Sequence, residues 1–203
     1  MRQRTDAGGC AMRTCTGFTL VELMVVLAVL AVALTMAAPG FTRFMRNAEL
    51  TATASTFVAS LNAARSEAMK RNLPALVVPL DAARRDWSQG FVVFVDVDLD
   101  GIYSESTDIT VLRQPISTPF LDVSGTGTAR SVPAYVRYDG SGFSKRTDGS
   151  FIALSMSFSR NDAPAAETFS QTRRIFIART GRIRMCTPAS AKDSRCDLLS
   201  SDS

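Results

Sequence analysis

Residues 17–40 read GFTLVELMVVLAVLAVALTMAAPG, an apolar stretch interrupted by one carboxylate, Glu22. As an α-helix, residues 18–38 would span about 32 Å, enough to cross the roughly 30 Å hydrocarbon core of a bilayer. An ionised glutamate in such a helix is costly unless a positive charge pairs with it. The stretch therefore predicts a membrane-spanning helix over 18–38 whose single acid binds a cationic partner.

A secretory signal peptide and an ordinary membrane anchor are two simpler interpretations of this stretch. A signal peptide also has a basic start and small residues such as Ala37 and Ala38. Its apolar core, however, is usually about 7 to 15 residues long and contains no acid. A plain anchor explains the length of the stretch but not its GFTLVE string. Charge counting fixes the orientation only weakly, because arginines both precede and follow the stretch.

The GFTLVE string, with its basic leader, resembles the processing site of type IV prepilins and type II secretion pseudopilins. The resemblance implies that a prepilin peptidase cuts after Gly17 and methylates the new amino terminus at Phe18. Glu22 would then pair with the α-amino group of a neighbouring pilin or pseudopilin and set the axial register of the assembly. Met12 is an alternative start to Met1, since MRTCTG is nearer the short leaders of this family.

Beyond the apolar stretch, the sequence pattern changes to a helical stripe and then to strands. Apolar residues recur every three or four positions from Leu50 to Ala68, which places them on one helix face. The helix is predicted to end at Asn72, because Pro74 disfavours helical backbone in the residue before it. Seven strand-like runs follow, separated by Gly, Asp, Ser and Pro clusters: 75–80, 91–97, 109–114, 132–138, 151–158, 174–178 and 182–186. This order predicts an α+β fold with a long N-terminal helix packed on a C-terminal antiparallel β domain.

Two further strings, NAARSEAMKRN at 62–72 and GFVVFVDVDLDG at 90–101, resemble the FimT/GspH branch of minor pilins and pseudopilins. The resemblance implies a pilin-like chain with a cleaved leader (1–17), an N-terminal helix (18–72) and a β-rich domain (73–203). It also implies a single-pass protein of the bacterial inner membrane with a periplasmic C-terminal domain. After assembly, such a protein is a subunit of a pilus or pseudopilus.

Of the four cysteines, Cys10 and Cys15 lie in the leader, so Cys186 and Cys196 are the two expected in the exported chain. An oxidising compartment favours a disulfide between them. Closing this short loop stabilises the fold by about 3 kcal/mol in the chain-entropy model. Zinc is not expected, because the chain has no histidine and two thiolates do not fill four coordination positions.

Residues 96–101 read DVDLDG, a spacing that opens an EF-hand calcium loop. Position 12 of that loop is Thr107 rather than the bidentate glutamate, and no flanking helices are predicted. A hairpin turn whose acids Asp96, Asp98 and Asp100 are solvated explains the same residues. We therefore expect no metal site and no cofactor, with calcium as the alternative.

The C-terminal segment RRIFIARTGRIRMC, residues 173–186, contains five arginines and no acid. Thr180 and Gly181 predict a turn between two strands. Arg182 and Arg184 then alternate with apolar residues and project from one face, about 6.6 Å apart. Two forked guanidiniums in this arrangement suit successive phosphates. No aromatic residue interleaves the two, so base stacking is not predicted.

The GRIRMC string, which begins at Gly181, resembles the glycine-arginine-x-arginine motif of FimT-type pilins that are linked to DNA uptake. The resemblance implies that this glycine shapes the turn and that Arg182 and Arg184 contribute to binding double-stranded DNA. Arg174 and Arg179 extend the same basic hairpin. We expect the binding to be weak, salt-sensitive and independent of sequence. The simpler alternative is a solvated sheet edge whose arginines prevent aggregation.

The residue inventory gives little support to catalysis. The chain has no histidine, no free thiol is expected after export, and no glycine-rich phosphate loop is evident, so the usual acid-base and nucleophilic constellations are missing. We therefore predict a non-enzymatic minor type IV pilin that takes part in pilus assembly and DNA uptake. The alternative is a type II secretion pseudopilin of the GspH kind, with a purely structural role in protein secretion.

Overall fold

The computed structural model of the protein describes residues 18–190 and 193–196. The leader, including Gly17 at the predicted cleavage site, lies outside the described residues, as do 191–192 and 197–203. For residues 36–39 the backbone alone is described.

One long helix, α1 (Leu20–Arg71), opens the described chain. It ends one residue before the predicted stop, because Asn72 has a φ of +55° and leaves the helical region. No single helix of the described chain is long and apolar enough to cross a membrane. The two segments Leu20–Thr35 and Gly40–Arg71, taken together, meet the requirements of length and composition. The span 18–38 therefore stays a prediction.

The described chain divides into two compact units inside α1, one ending at Phe44 and the other beginning at Met45. In the first unit the large apolar side chains from Phe18 to Leu34 are 52–81% exposed. The second unit contains the rest of the helix and all the strands. The second half of the helix therefore belongs to the compact β-rich unit, so that unit begins well before the predicted domain boundary at residue 73.

The described part of the second unit contains eight strands in two four-stranded antiparallel sheets. The strands are β1 (Ala75–Pro79), β2 (Gly90–Val95), β3 (Ile109–Pro115), β4 (Leu121–Gly125), β5 (Val136–Tyr138), β6 (Leu154–Arg160), β7 (Thr172–Ile177) and β8 (Ile183–Cys186). Sheet 1 has the order β3-β2-β1-β5 and sheet 2 the order β4-β6-β7-β8. A long helix followed by antiparallel sheets confirms the predicted α+β fold.

Two predicted strands begin several residues later than expected, and one strand was not predicted. The run 132–138 is a strand only from Val136, because Pro133 has no N–H to donate to a ladder. The run 151–158 becomes a continuous strand only at Leu154. Strand β4 was not predicted, because LDVSG has two apolar residues and ends in glycine. Its pairing with β6, distant in sequence, makes it a strand.

The core of the second unit lies between the helix and the two sheets. The predicted helical stripe is fully buried and consists of Leu50, Ala54, Phe57, Leu61, Ala64 and Ala68. The Phe57 ring lies 5.8 Å from that of Trp87, 4.9 Å from that of Phe91 and 5.3 Å from that of Phe158, measured between centroids. Because Phe91 belongs to sheet 1 and Phe158 to sheet 2, Phe57 joins the helix to both sheets.

Sheet 1 also buries its other face. A second cluster there consists of Leu76, Val78, Val92 and Phe94. The connection between β2 and β3, residues 96–108, folds over this face, since the ring of Tyr103 packs 5.2 Å from that of Phe94. The acidic string of the sequence therefore lies on a packed loop rather than on a tight, solvated hairpin turn.

Candidate nucleic-acid interface

Strands β7 and β8 form a basic hairpin at the edge of sheet 2. Their antiparallel register pairs Arg174 with Cys186 and Phe176 with Arg184. Residues paired directly across an antiparallel ladder lie on the same face, and side chains alternate between faces along a strand. Arg182 lies two residues before Arg184. Its carbonyl accepts a hydrogen bond from the backbone N–H of Ala178, which continues the ladder between the two strands. Three arginines, Arg174, Arg182 and Arg184, therefore share the outer face of sheet 2.

The two arginines of the GRIRMC string have different surroundings. Arg182 is exposed, whereas Arg184 is half-buried. The guanidinium carbon of Arg184 lies 5.4 Å from the centroid of the Phe176 ring. Because Phe176 is only 2% exposed, its ring supports Arg184 and is not accessible for stacking on a base.

The turn between β7 and β8 depends on a glycine. Gly181 has a φ of +77°, a region that favours glycine, and its N–H donates to the carbonyl of Ala178 at 2.9 Å. A Cβ at this position would overlap the carbonyl oxygen of Gly142. Arg179 is exposed in the same turn. Gly181 therefore fixes the turn that places Arg182 directly before β8.

Arg65 of α1 tethers this turn to the helix. Its Nε donates to the carbonyl of Gly142 at 2.9 Å and its Nη2 to the carbonyl of Thr180 at 3.0 Å. This role of Arg65 was not predicted from the sequence. The one feature of the sequence that points to this role is the position of Arg65 directly after Ala64 of the buried stripe. Arg65 is thus a positioning residue for the basic hairpin.

A disulfide closes the far end of the hairpin. Cys186 and Cys196 are bonded, with their Cα atoms 5.9 Å apart, which confirms the predicted pairing. Cys196 is buried in a short 3-10 turn, Ser194–Cys196, and its carbonyl accepts from Arg174 Nη1 at 3.4 Å. The bridge therefore holds the turn Ser194–Cys196 against the basic strands.

Not every arginine of the basic segment faces outward. Arg173 is 9% exposed and donates to Asn47 Oδ1 at 2.8 Å and to Thr51 Oγ1 at 3.2 Å, both on α1. Burial lowers the pKa of Arg173. Arg173 therefore joins sheet 2 to the helix and is not part of the outer basic face.

Asp193 is the acid that follows the basic segment. Its carboxylate accepts the backbone N–H of Ala189 at 2.9 Å and of Arg195 at 3.0 Å. These hydrogen bonds, with the charge of Arg195, hold the pKa of Asp193 below its usual value. Its negative charge is thus offset locally by the Arg195 guanidinium, 3.6 Å away.

Two family models match the chain. The model described as "Type II transport protein GspH" matches residues 53–181, more than half of the sequence. The chain belongs to the GspH family. The model of the "Prokaryotic N-terminal methylation motif" matches residues 12–38 of this GspH-family protein. The predicted family is therefore confirmed.

A solved structure of a minor pilin shows the same fold. The type IV minor pilin FimU of Pseudomonas aeruginosa matches with 18% identity and a TM-score of 0.51, over 72% of this chain and 98% of FimU. The minor pseudopilin EpsH of the type 2 secretion system of Vibrio cholerae matches with 11% identity and a TM-score of 0.47, over 70% of this chain and 99% of EpsH. No curated protein matches the sequence.

The methylation motif gives a role to the N-terminal residues. The GspH-family protein is a minor pilin or pseudopilin of a type IV pilus or a type II secretion system. Its motif implies processing by a prepilin peptidase, anchoring in the inner membrane and assembly with other pilins or pseudopilins. Phe18 and Glu22 are both exposed in the described chain, and the Glu22 N–H donates to Thr19 Oγ1 at 3.2 Å, a helix cap. Their individual roles stay predictions.

The acidic loop differs from the solvated turn predicted by the sequence. Asp96 is 2% exposed and Asp108 is 9% exposed, because the loop folds over the outer face of sheet 1. Asp98 and Asp100 are exposed. The prediction of solvated acids is therefore wrong for Asp96.

Proposed function

We propose that this GspH-family protein is a minor type IV pilin whose basic hairpin binds double-stranded DNA during uptake. The observation that supports this proposal is the common outer face of Arg174, Arg182 and Arg184. Guanidiniums bind phosphate through forked N–H donors. Because Arg65 and the disulfide already hold the hairpin, little backbone order has to be gained on binding.

The proposed contacts are to phosphates rather than to bases. On β7 and β8 the outer face presents arginines, and Phe176, the aromatic residue of these two strands, is buried beneath Arg184. Binding through phosphates alone is sequence-independent, salt-sensitive and weak, with a Kd on the order of 10⁻⁴ to 10⁻⁶ M at physiological salt. Arg182, which is exposed, is expected to contribute more than the half-buried Arg184.

The proposed assembly follows from the N-terminal motif. After cleavage at Gly17, the amino group of Phe18 pairs with Glu22 of a neighbouring subunit, because an unpaired carboxylate is unfavourable in a membrane. The apolar segment 18–38 spans the inner membrane and the β-rich unit lies in the periplasm. The proposal includes no catalytic step and no cofactor.

A second candidate function is that of a type II secretion pseudopilin. The name of the matching family, "Type II transport protein GspH", favours it. Deleting the gene in the native bacterium distinguishes the pilin from the pseudopilin. Loss of natural transformation with normal protein secretion supports the pilin, and the reverse result supports the pseudopilin.

The binding test uses a soluble fragment from Arg43 onward, since Met45–Ser203 is a compact unit with its own core. Duplex binding is measured over a salt series for the parent and for Arg182→Gln/Arg184→Gln. Two lost phosphate contacts should lower the slope of log Kd against log salt by about 1.8. Fluorescence of Trp87, the single tryptophan, reports whether each variant is folded.

The matched control is Arg85→Gln/Arg113→Gln, which removes the same charge from two exposed arginines away from the hairpin. This variant should keep the parent slope. An unchanged slope in the hairpin variant would remove Arg182 and Arg184 from the DNA proposal. An equal decrease of this slope in both variants would show that the net charge of the protein, rather than the hairpin, attracts DNA.

A further inference from the structure

Three carboxylates converge at the two ends of the connection between β2 and β3. Asp96 directly follows β2 and Asp108 directly precedes β3. The register pairs Val95 with Ile109, so the two acids that come next in the chain are brought together. One oxygen each from Asp96, Asp98 and Asp108 lies within 4.8 Å of the others.

Asp96 is buried without full hydrogen bonding. Its Oδ2 accepts the N–H of Gly101 at 3.1 Å. Its Oδ1 is buried and has no hydrogen-bond partner among the described residues. A buried carboxylate oxygen that has no donor is unfavourable, and such atoms are uncommon in folded proteins. This oxygen belongs to the carboxylate at the buried end of the cluster.

No ion pair joins a protein cation to the cluster within residues 18–190 and 193–196. The ion pairs of these residues do not include Asp96, Asp98 or Asp108. The neighbouring Arg84 donates its Nη1 to the carbonyl of Gly101 at 3.1 Å. A cation placed between the carboxylates would remove their repulsion.

Hydrogen bonds orient the second buried acid. Asp108 Oδ1 accepts the N–H of Val97 at 3.1 Å, and Oδ2 accepts that of Ser104 at 2.9 Å. Asp98 is exposed, and it accepts a long hydrogen bond of 3.4 Å from the Asp100 N–H. Two carboxylates are therefore held in place and the third is able to adjust to a ligand.

We propose that Asp96, Asp98 and Asp108 bind a calcium ion. Calcium takes oxygen ligands at about 2.3 to 2.6 Å in flexible geometry, so ligands on opposite sides of the ion lie about 4.6 to 5.2 Å apart. The three oxygens lie within 4.8 Å of one another, no farther apart than this span, so one calcium ion can contact all three. Magnesium needs a tighter and more regular octahedron and retains its waters. Because Asp98 is exposed and able to adjust, the site suits the flexible coordination of calcium better than that of magnesium.

The structure also explains why the EF-hand spacing alone did not predict this site. Asp100, at the fifth position of that pattern, accepts the N–H of Ile102 at 2.6 Å and is not one of the converging acids. Thr107 occupies the twelfth position, where a glutamate is required. The next residue, Asp108, supplies the missing carboxylate, because strand pairing rather than loop spacing brings it to Asp96.

The test uses the full chain in detergent micelles after removal of metals with a chelator. Calcium binding is measured by isothermal titration calorimetry, and Tm by Trp87 fluorescence. We expect a Kd of about 0.1 to 1 mM, as in extracellular calcium modules. At about 10 mM calcium, Tm should rise by about 3 to 10 °C, and magnesium should raise it less.

Two variants and a control identify the site. Asp98→Asn changes an exposed residue and should weaken calcium binding at least about tenfold. Asp96→Asn should abolish the calcium-dependent rise in Tm without lowering Tm in chelator, because it removes a buried charge and keeps an acceptor for Gly101. Asp122→Asn, an exposed acid of sheet 2, should keep the parent response.

The proposal is overturned if the parent shows no binding heat up to about 10 mM calcium. It is also overturned if Asp96→Asn and Asp98→Asn respond to calcium as the parent does. Neither result bears on the DNA proposal, since the basic hairpin belongs to sheet 2 and the acidic loop to sheet 1.

Discussion

The two halves of helix α1 are both rich in apolar residues but use them differently. From Phe18 to Leu34 the large apolar side chains are at least half exposed, on every side of the helix. From Leu50 to Ala68 they form one stripe that is completely buried against two sheets. A helix that is apolar all round needs an apolar environment outside its own chain, whereas a single stripe is satisfied by its own domain. The second half therefore stabilises the fold, and we expect the first half to serve anchoring and assembly.

The largest effect is expected from Gly17→Ala, which tests the first half of this comparison. A side chain at the cleavage site should block the peptidase, so that an uncut, membrane-bound precursor accumulates. Mass spectrometry of the membrane fraction measures the mature chain, which begins at Phe18. As a control, Glu22→Gln should be cut normally but excluded from filaments. Normal maturation of Gly17→Ala would contradict the assigned cleavage site.

The second largest effect compares matched truncations in the two halves, Phe57→Ala and Leu27→Ala. Phe57 contacts rings from both sheets, so its truncation should lower the free energy of unfolding by about 3 to 5 kcal/mol. Leu27 is 55% exposed, and its truncation should change that free energy by less than about 0.5 kcal/mol. Denaturant unfolding of the full chain in detergent, followed by Trp87 fluorescence, measures both. Similar decreases in the free energy of unfolding for the two variants would show that the two halves of the helix do not differ in this way.

A smaller effect is expected from Arg173→Met, which removes the polar link between sheet 2 and the second half of the helix. Leaving Asn47 and Thr51 without this donor should lower the free energy of unfolding by about 1 to 3 kcal/mol. Arg174→Met is the control, because Arg174 lies on the opposite face and donates one long hydrogen bond. If both variants lose the same stability, the inward contacts of Arg173 are not important.

The smallest effect concerns pH. Asp162 is bound by Arg160, with contacts of 2.9 and 3.0 Å, and by Arg46 of the helix. The hydrogen bond from Arg160, followed by that from Arg46, lowers the pKa of Asp162 below 3.8. Its contribution to stability is therefore present above about pH 3.8 and is lost as the pH falls through the folded-state pKa.

Because this acid is largely exposed to solvent screening, we expect a contribution below about 1 kcal/mol. Unfolding curves of the parent and Asp162→Asn should differ near neutral pH and converge in acid. A difference that persists at the lowest pH would mean that the contribution of Asp162 is not electrostatic.

Features set by local sequence were predicted well. The stripe from Leu50 to Ala68 follows helical periodicity, and the helix end follows from Pro74, so both agree with the structure. The turn at Gly181 was also predicted, because its conformation depends on a few neighbouring residues. Strand β4 and the tether made by Arg65 were missed, since each depends on partners far along the chain.

The sequence by itself determined the family, the long helix, the β-rich unit and the disulfide. These features arise from short-range periodicity, from a motif of adjacent residues and from the count of cysteines. The tertiary structure alone decided that Arg173 points inward while Arg174 points outward, and that Asp108 joins Asp96. The physical reason is that strand register sets which residues meet and which face they share, and register depends on contacts across the whole domain.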